Sequence, residues 1–165
     1  MMKNNICIEK ATESDVKEIS ELSIRNLREI NSKMHSKEII DHSIESCSVD
    51  AYRLALGWKD VFVAKLDGKV VGTASLANFM NNGKNRWCVS MVFVSIEHHK
   101  NGFGSLLIKK LIELAKEKNA NTLEVPSSRN SIKFYEKCGF VNSNLPEEEE
   151  CNWMEIKLLA NQRCS

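Results

Sequence analysis

"HHKNGFGSLLIKKL", residues 98–111, sets Gly102 and Gly104 one residue apart, between an apolar run and a helical pattern. Glycine costs about 1 kcal/mol against alanine inside a helix, so a pair at this seam points to close approach of the backbone to something else. A strand ending at Val94, a short turn and a helix beginning near Gly102 would gather several free N–H groups at one point, where the helix dipole adds positive potential. That is the outline of an anion site. Two other phosphate loops fail on the letters. The dinucleotide fingerprint needs a third glycine where Leu107 stands and normally follows a first strand, and G-x-x-x-x-G-K-[ST] occurs nowhere.

Working outward, "RWCVSMVFV" (86–94) before the glycines is almost continuously apolar, which predicts a central, buried strand. Ahead of it, "VFVAKLDGKVVGTASLAN" reads as two strands joined at Asp67-Gly68, a strong hairpin signal, with "MNNGKN" as a polar loop. After the glycines a helix carries Leu106, Leu107, Leu111, Leu114 and Ala115 on one face. It is followed by a strand "TLEVP", a helix "SIKFYEKC" stopped by Gly139, and a last strand around "WMEIKLL". The chain opens with a strand at "ICIE". A Thr12/Asp15 cap then starts a helix whose apolar face is Val16, Ile19, Leu22, Ser23, Leu27 and Ile30, reaching about Asn31. Shorter helices are expected near 36–46 and 49–56, the second closed by Gly57. The glutamates at 147–150 read as a solvated connection. No repeat, linker or low-complexity tract interrupts this order, so the expectation is a single domain over 1–165: a mixed α/β sheet with helices on both faces.

The composition limits the function classes. In 165 residues, 42% are hydrophobic and 27% charged, as in a globular protein. A net charge of +1 gives no bulk attraction to nucleic acid or anionic lipid, and the lysines at 109–118 are interleaved with Glu113 and Glu117. No stretch approaches a membrane span and the N-terminus lacks a signal-peptide core, so a cytoplasmic location is expected, with no membrane partner. Cys7, Cys47, Cys88, Cys138, Cys151 and Cys164 are scattered without C-x-x-C or His spacing and read as reduced packing thiols. His98 and His99 have no second ligand set, and no metal is expected. Ser127 and Ser128 lack a partnered His and Asp and read as turn residues.

The stretch "VFVSIEHHKNGFGSLLIKKL" (92–111) resembles the coenzyme A loop of the GNAT superfamily of N-acetyltransferases, Q/R-x-x-G-x-G/A directly after a central strand. His99 stands where Gln or Arg is usual. "SSRNSIKFYEKCGF" (127–140) is similar to the family's other signature, an Asn followed by a helical Tyr-Glu and a Gly-Phe, at the expected distance. The resemblance implies a sheet that is mostly antiparallel and splayed at its central strand. It also implies acetyl-CoA as the acyl donor and no metal.

On that resemblance, the pyrophosphate would lie on the N–H groups of Lys100, Asn101, Gly102, Phe103, Gly104 and Ser105, and the pantetheine arm would pair with the strand at Val92, Phe93 and Val94. Tyr135 would face the thioester sulfur, Asn130 would touch the cofactor and Glu124 would serve as general base. Each residue also has a plainer reading: the glycines as packing residues, Tyr135 as a core aromatic beside Phe134, Asn130 as a helix cap and Glu124 as an exposed strand carboxylate. The reaction implied is acetyl transfer to a primary amine, either a small molecule or a peptide N-terminus or lysine. The alternative is a module that binds acyl-CoA without turnover. A homodimer is compatible with the sequence. The acceptor is not legible in "IRNLREINSKMHSKEIIDHS" or "NSNLPEEEECNW".

Overall fold

The computed structural model describes residues 4–143 and 151–158; the glutamates at 147–150 and Cys164 lie outside them. In chain order the elements are β1 (Ile6–Lys10), α1 (Val16–Glu29), α2 (Lys37–Ser46), α3 (Val49–Leu56), β2 (Asp60–Leu66), β3 (Lys69–Asn78), β4 (Trp87–Val94), α4 (Phe103–Glu117), β5 (Thr122–Ser127), α5 (Ile132–Lys137), β6 (Val141–Asn142) and β7 (Asn152–Lys157). The seven strands make one open sheet in the order β1-β2-β3-β4-β5-β7-β6. The chain forms two compact units, Met1–Ser75 with Met91–Leu107 and Leu76–Ser90 with Ile108–Ser165. It passes from one to the other within β3, β4 and α4.

In the first unit β1 pairs antiparallel with β2, from Ile6↔Leu66 to Lys10↔Phe62. The β2–β3 turn puts Asp67 and Gly68 at φ 50° and 83°, the doubly left-handed geometry that an Asp-Gly pair favours. The start of α1 is tied down as the sequence predicts, with the Thr12 N–H donating to the Asp15 carboxylate at 2.9 Å. Ser36 and Ser48 cap α2 and α3 by accepting from the N–H groups of Ile39 and Ala51. The buried stripe of α1 is Val16, Ile19, Ser20, Ser23, Asn26 and Leu27. Leu22 and Ile30, expected on it, are half-buried, and Ser20 and Asn26 take their place. Val16, Ile19 and Leu27 pack with Cys47, Tyr52, Val63 and Val70.

In the second unit β4 pairs parallel with β5 at Trp87↔Leu123 and Cys88↔Glu124. β5 pairs antiparallel with β7 over its whole length, from Thr122↔Lys157 to Ser127↔Asn152. A two-residue β6, not anticipated from the sequence, adds to the far edge at Val141↔Glu155. The polar loop before β4 is a tight turn: Asn82 and Gly83 lie at φ 49° and 75°, and Asn81 bridges Lys84.

Two expectations about burial are overturned. β4 is buried only at Cys88 and Val89, and Ser90–Val94, beyond the two pairs of the parallel ladder with β5, are half-buried. On α4 the covered stripe is Phe103, Leu107, Ile108, Leu111 and Ala115, whereas Leu106 is 42% exposed. A 3.6-residue period that starts at Phe103 turns Leu106 outward.

Asp15 is buried and its carboxylate pairs with Lys65 Nζ at 2.9 Å, while Lys65 also reaches Glu9 at 2.7 Å. Burial pushes the Asp15 carboxyl upward, but the Lys65 ammonium and the Thr12 N–H outweigh it and hold it below the ordinary value. A depressed carboxyl stabilises the fold above the unfolded-state value near 4 and loses that contribution as pH falls further. Asp15→Asn is therefore expected to cost about 1–3 kcal/mol at pH 7 and to flatten the loss of stability below pH 4, as read by urea unfolding across pH.

Candidate active site

The Ser95 N–H donates to Val71 O at 2.8 Å, and Phe93 O lies 3.3 Å from where a Cβ on Gly72 would stand. Phe93 and Ser95 thus turn their backbone groups toward β3, and Val92 and Val94 turn theirs to the opposite edge. Met91, at φ 54°, is a non-glycine residue in the left-handed region within a strand, and it kinks the strand just before this stretch.

Beyond Val94 a single 3-10 turn, Ile96–His98, leads to Lys100 at φ 65° and Gly102 at φ 84°. These two left-handed residues reverse the chain into α4. The His98 ring sits edge-on to Phe103, centroids 5.8 Å apart, and Phe103 is buried, so the aromatic pair anchors the loop while Lys100, Asn101 and Ser105 stay exposed. The Asn101 N–H is held by His98 O at 3.3 Å and the Leu106 N–H by Gly102 O at 3.1 Å. The N–H groups of Lys100, Gly102, Phe103, Gly104 and Ser105 have no partner among the described residues. A Cβ on Gly102 would meet nothing within 4 Å. This is a row of free donors at a helix N-terminus, suited to an anion.

In the second unit, Glu124, Asn130 and Tyr135 follow one another along β5, the turn after it and α5. Glu124 is not the exposed carboxylate of the plainer reading. Its Oε2 accepts from Arg86 Nε at 2.7 Å, lies 3.7 Å from Cys88 Sγ and is largely covered, with Arg86 stacked 4.5 Å over the Trp153 ring. Asn130 is exposed and does not cap α5; it sits inside a 3-10 turn, its Oδ1 accepting from the Ser128 hydroxyl. Ser127, read as a turn residue, closes β5 and is buried. The aromatic pair is reversed: Phe134 is half-buried, while Tyr135 is 6% exposed and packs edge-on to Phe134 and Phe140 at 5.0 and 5.7 Å. Burial, with a smaller contribution from Cys138, pushes the Tyr135 phenol well above its usual value. No described residue hydrogen-bonds its hydroxyl.

Sequence reasoning missed Asn26, whose side-chain amide donates to Val94 O at 3.0 Å; His99, singled out only as standing where Gln or Arg is usual, meets the same oxygen through Nε2 at 2.9 Å. Also missed was Arg25, which pairs with Glu97, itself hydrogen-bonded by Ser95 at 2.7 Å. The signal for Asn26 was present: a polar residue at helical spacing within an apolar stripe. Among the described residues no group of three His, Cys, Asp or Glu could hold a metal, and no helix is long and apolar enough to cross a membrane.

Gly102→Ala introduces a Cβ at a left-handed φ without a packing clash, so it is expected to cost about 1–2 kcal/mol in urea unfolding, the signature of backbone strain alone.

A family model described as the acetyltransferase (GNAT) family matches residues 24–140. The glucosamine 6-phosphate N-acetyltransferase of Trypanosoma brucei brucei is 30% identical over 135 residues, 74% of this chain and 91% of that protein. Among solved structures, the PaiA N-acetyltransferase of Thermoplasma acidophilum in complex with coenzyme A superposes with a TM-score of 0.81 at 18% identity, covering 93% of this chain and 99% of that one. The ribosomal-protein-alanine N-acetyltransferase of Brucella melitensis does so with a TM-score of 0.67 at 21% identity, covering 92% and 99%. The two structures share the fold. The family match takes in β4, the donor row and the Tyr135 helix, and the chain belongs to the GNAT family of acetyltransferases.

Proposed function

We propose that the chain is one catalytic domain that transfers acetyl from acetyl-CoA to a primary amine in the cytoplasm. The observation that carries the reading is the row of N–H groups at the head of α4, of which those of Lys100, Gly102, Phe103, Gly104 and Ser105 have no partner among the described residues. A pyrophosphate fits it on three counts: the donors are backbone groups needing no side-chain charge, the helix dipole favours an anion, and Gly102 leaves the approach open. Lys100 adds a cation at the rim.

The pantetheine amides are peptide-like and would pair with the edge of β4 at Val92, Phe93 and Val94. Because the Phe93 carbonyl faces β3, Val92 and Val94 supply the main-chain groups of that pairing. Attack of the neutral amine on the thioester carbonyl forms the C–N bond, and the C–S bond then breaks with the electron pair leaving on sulfur. Tyr135 is the donor assigned to that sulfur. Glu124 is the carboxylate assigned to take the amine proton, through Oε1, since Arg86 and Cys88 both meet Oε2. Asn130 is assigned to the cofactor's rim. The acceptor carries an amine; the name of the Trypanosoma relative supplies one such acceptor, an amino sugar phosphate.

Mixing the protein with acetyl-CoA and a panel of amino sugar phosphates, polyamines, amino acids, aminoglycosides and peptides tests the reading. Thiol release that requires one of the amines supports it, and tight CoA binding without release in any mixture leaves a binding module instead. With an acceptor in hand, Tyr135→Phe keeps the ring and its packing and deletes only the hydroxyl. Turnover is expected to fall on the order of tenfold to a hundredfold with CoA affinity and unfolding midpoint near wild type; a rate within twofold under chemistry-limited conditions makes Tyr135 a packing residue. For Glu124→Gln, the expected result is a reduced rate that recovers toward high pH, where the amine is already neutral. A pH profile superposable on wild type hands proton removal to water.

A further inference from the structure

The carbonyl of Val94 is the last one on β4 before the donor row, and it faces away from β3. Two side chains from different parts of the fold converge on it: Asn26 Nδ2 from α1 at 3.0 Å and His99 Nε2 from the turn itself at 2.9 Å. Asn26 is 5% exposed and its amide also donates to Leu22 O at 3.0 Å, so both donors of one buried amide are used. The neighbouring contacts tie the same two elements. Arg25, adjacent on α1, pairs with Glu97, and Ser95 donates to the other oxygen of that carboxylate at 2.7 Å. The Ser95 hydroxyl, then Arg25 and a backbone N–H, hold the Glu97 carboxyl down at about 2, so the pairing persists across the physiological range.

We propose that Asn26 and His99 are positioning residues for the acyl donor: by saturating the Val94 carbonyl they fix the end of β4 and the start of the turn, so that the Lys100–Ser105 N–H groups converge on one point. This rests on the reading of that row as the pyrophosphate site. The physical case has two parts. A carbonyl at the open edge of a strand is an acceptor that a peptide-like ligand arm, water or a neighbouring loop can each claim, with a different backbone angle for each. Two donors at fixed positions remove that freedom, so the turn is ordered before the ligand arrives and the ordering cost is not charged to binding. His99 therefore does by hydrogen bonding what its place in the loop requires, without touching the anion. The bound arm takes its hydrogen bonds from Val92 and from the N–H of Val94, because the Val94 carbonyl is already engaged.

The test separates positioning from stability and from the reading beneath it. CoA binding to wild type is measured first by calorimetry, and no heat there overturns the pyrophosphate reading itself. Given binding, His99→Ala is compared with His99→Gln, whose side-chain amide can still donate to the carbonyl. One neutral hydrogen bond corresponds to a change of roughly threefold to tenfold. His99→Ala is expected to weaken CoA by that factor and to raise KM for acetyl-CoA equally with kcat little changed, while His99→Gln restores both. S-acetylpantetheine, which lacks the pyrophosphate, is expected to show the same KM with all three proteins. Asn26→Leu is expected to behave as His99→Ala does, on top of a lowered unfolding midpoint. His99 is exposed, so its alanine variant keeps the wild-type midpoint and remains informative if Asn26→Leu does not fold. CoA affinity unchanged in His99→Ala, failure of His99→Gln to restore it, or an equal KM rise for S-acetylpantetheine each overturns the proposal.

Discussion

Everything at the head of α4 depends on one constraint: the chain must leave β4 with its final carbonyl satisfied and enter α4 with its first N–H groups unsatisfied. The two demands conflict, because a residue that ends a strand and one that begins a helix ordinarily hand their free groups to each other or to water. Here the carbonyl of Val94 is taken by Asn26 and His99, so it has no claim on the N–H groups a few residues later. Lys100 and Gly102, both left-handed, then turn the chain through the remaining angle. Strain at a non-glycine residue such as Lys100 persists only where its surroundings fix it. Phe103, buried and in edge contact with His98, provides that fixation.

The elements were largely legible because their signals are local. Asp67-Gly68 dictates a two-residue hairpin whatever lies around it, and the Thr12/Asp15 cap announces a helix from a few letters. The errors share a cause: each concerns what the other side of an element faces. A continuous apolar run reads as a fully buried strand, yet β4 parts from β5 after Cys88, and no letter in "RWCVSMVFV" says where a neighbour leaves. Leu106 and Ile108 are both apolar, and which one is covered depends on the rotation of α4, set by Phe103 rather than by composition. Glu124 looked exposed because the residue that covers it, Arg86, stands just before β4, far away in sequence, and is stacked on Trp153. The glycine loop was found because its requirement is backbone geometry, written in residues that lack a side chain; Asn26, which acts on the same loop from another element, left only a polar break in a helical stripe.

Buried polar groups in the first unit keep α1 from sliding, and α1 carries Asn26. The Tyr52 hydroxyl lies 2.7 Å from the Ser23 hydroxyl, which also donates to Ile19 O at 2.8 Å, and Ser20 donates to Cys47 O at 2.7 Å. A slip of α1 by one residue would part Ser23 from Tyr52 and Ser20 from Cys47 O, leaving buried polar groups unsatisfied at about 1–3 kcal/mol apiece. The register of α1 is thereby specified more sharply than by apolar packing alone, which tolerates exchange among residues of similar volume. Burial pushes the Cys47 thiol up to about 11, so it stays protonated and serves this core as a packing group and not as a nucleophile.

The state of Tyr135 bears on how a phenol could act in the proposed reaction. With its acidity weakened by burial, it remains protonated at any pH the protein encounters, yet it is a poorer proton donor than a phenol in water. A thiolate leaving group needs little more than partial neutralisation, since its conjugate acid ionises near 8.5 by analogy with cysteine. Full transfer from the buried phenol to that sulfur would be uphill, whereas a hydrogen bond strengthening as charge builds on sulfur costs no ionisation of the phenol. A hydroxyl with no hydrogen-bond partner among the described residues is suited to this role, because no hydrogen bond within the protein must break first. In the proposed reaction the pH dependence would then belong to the amine and to whatever takes its proton, and a rate factor from Tyr135 would be independent of pH.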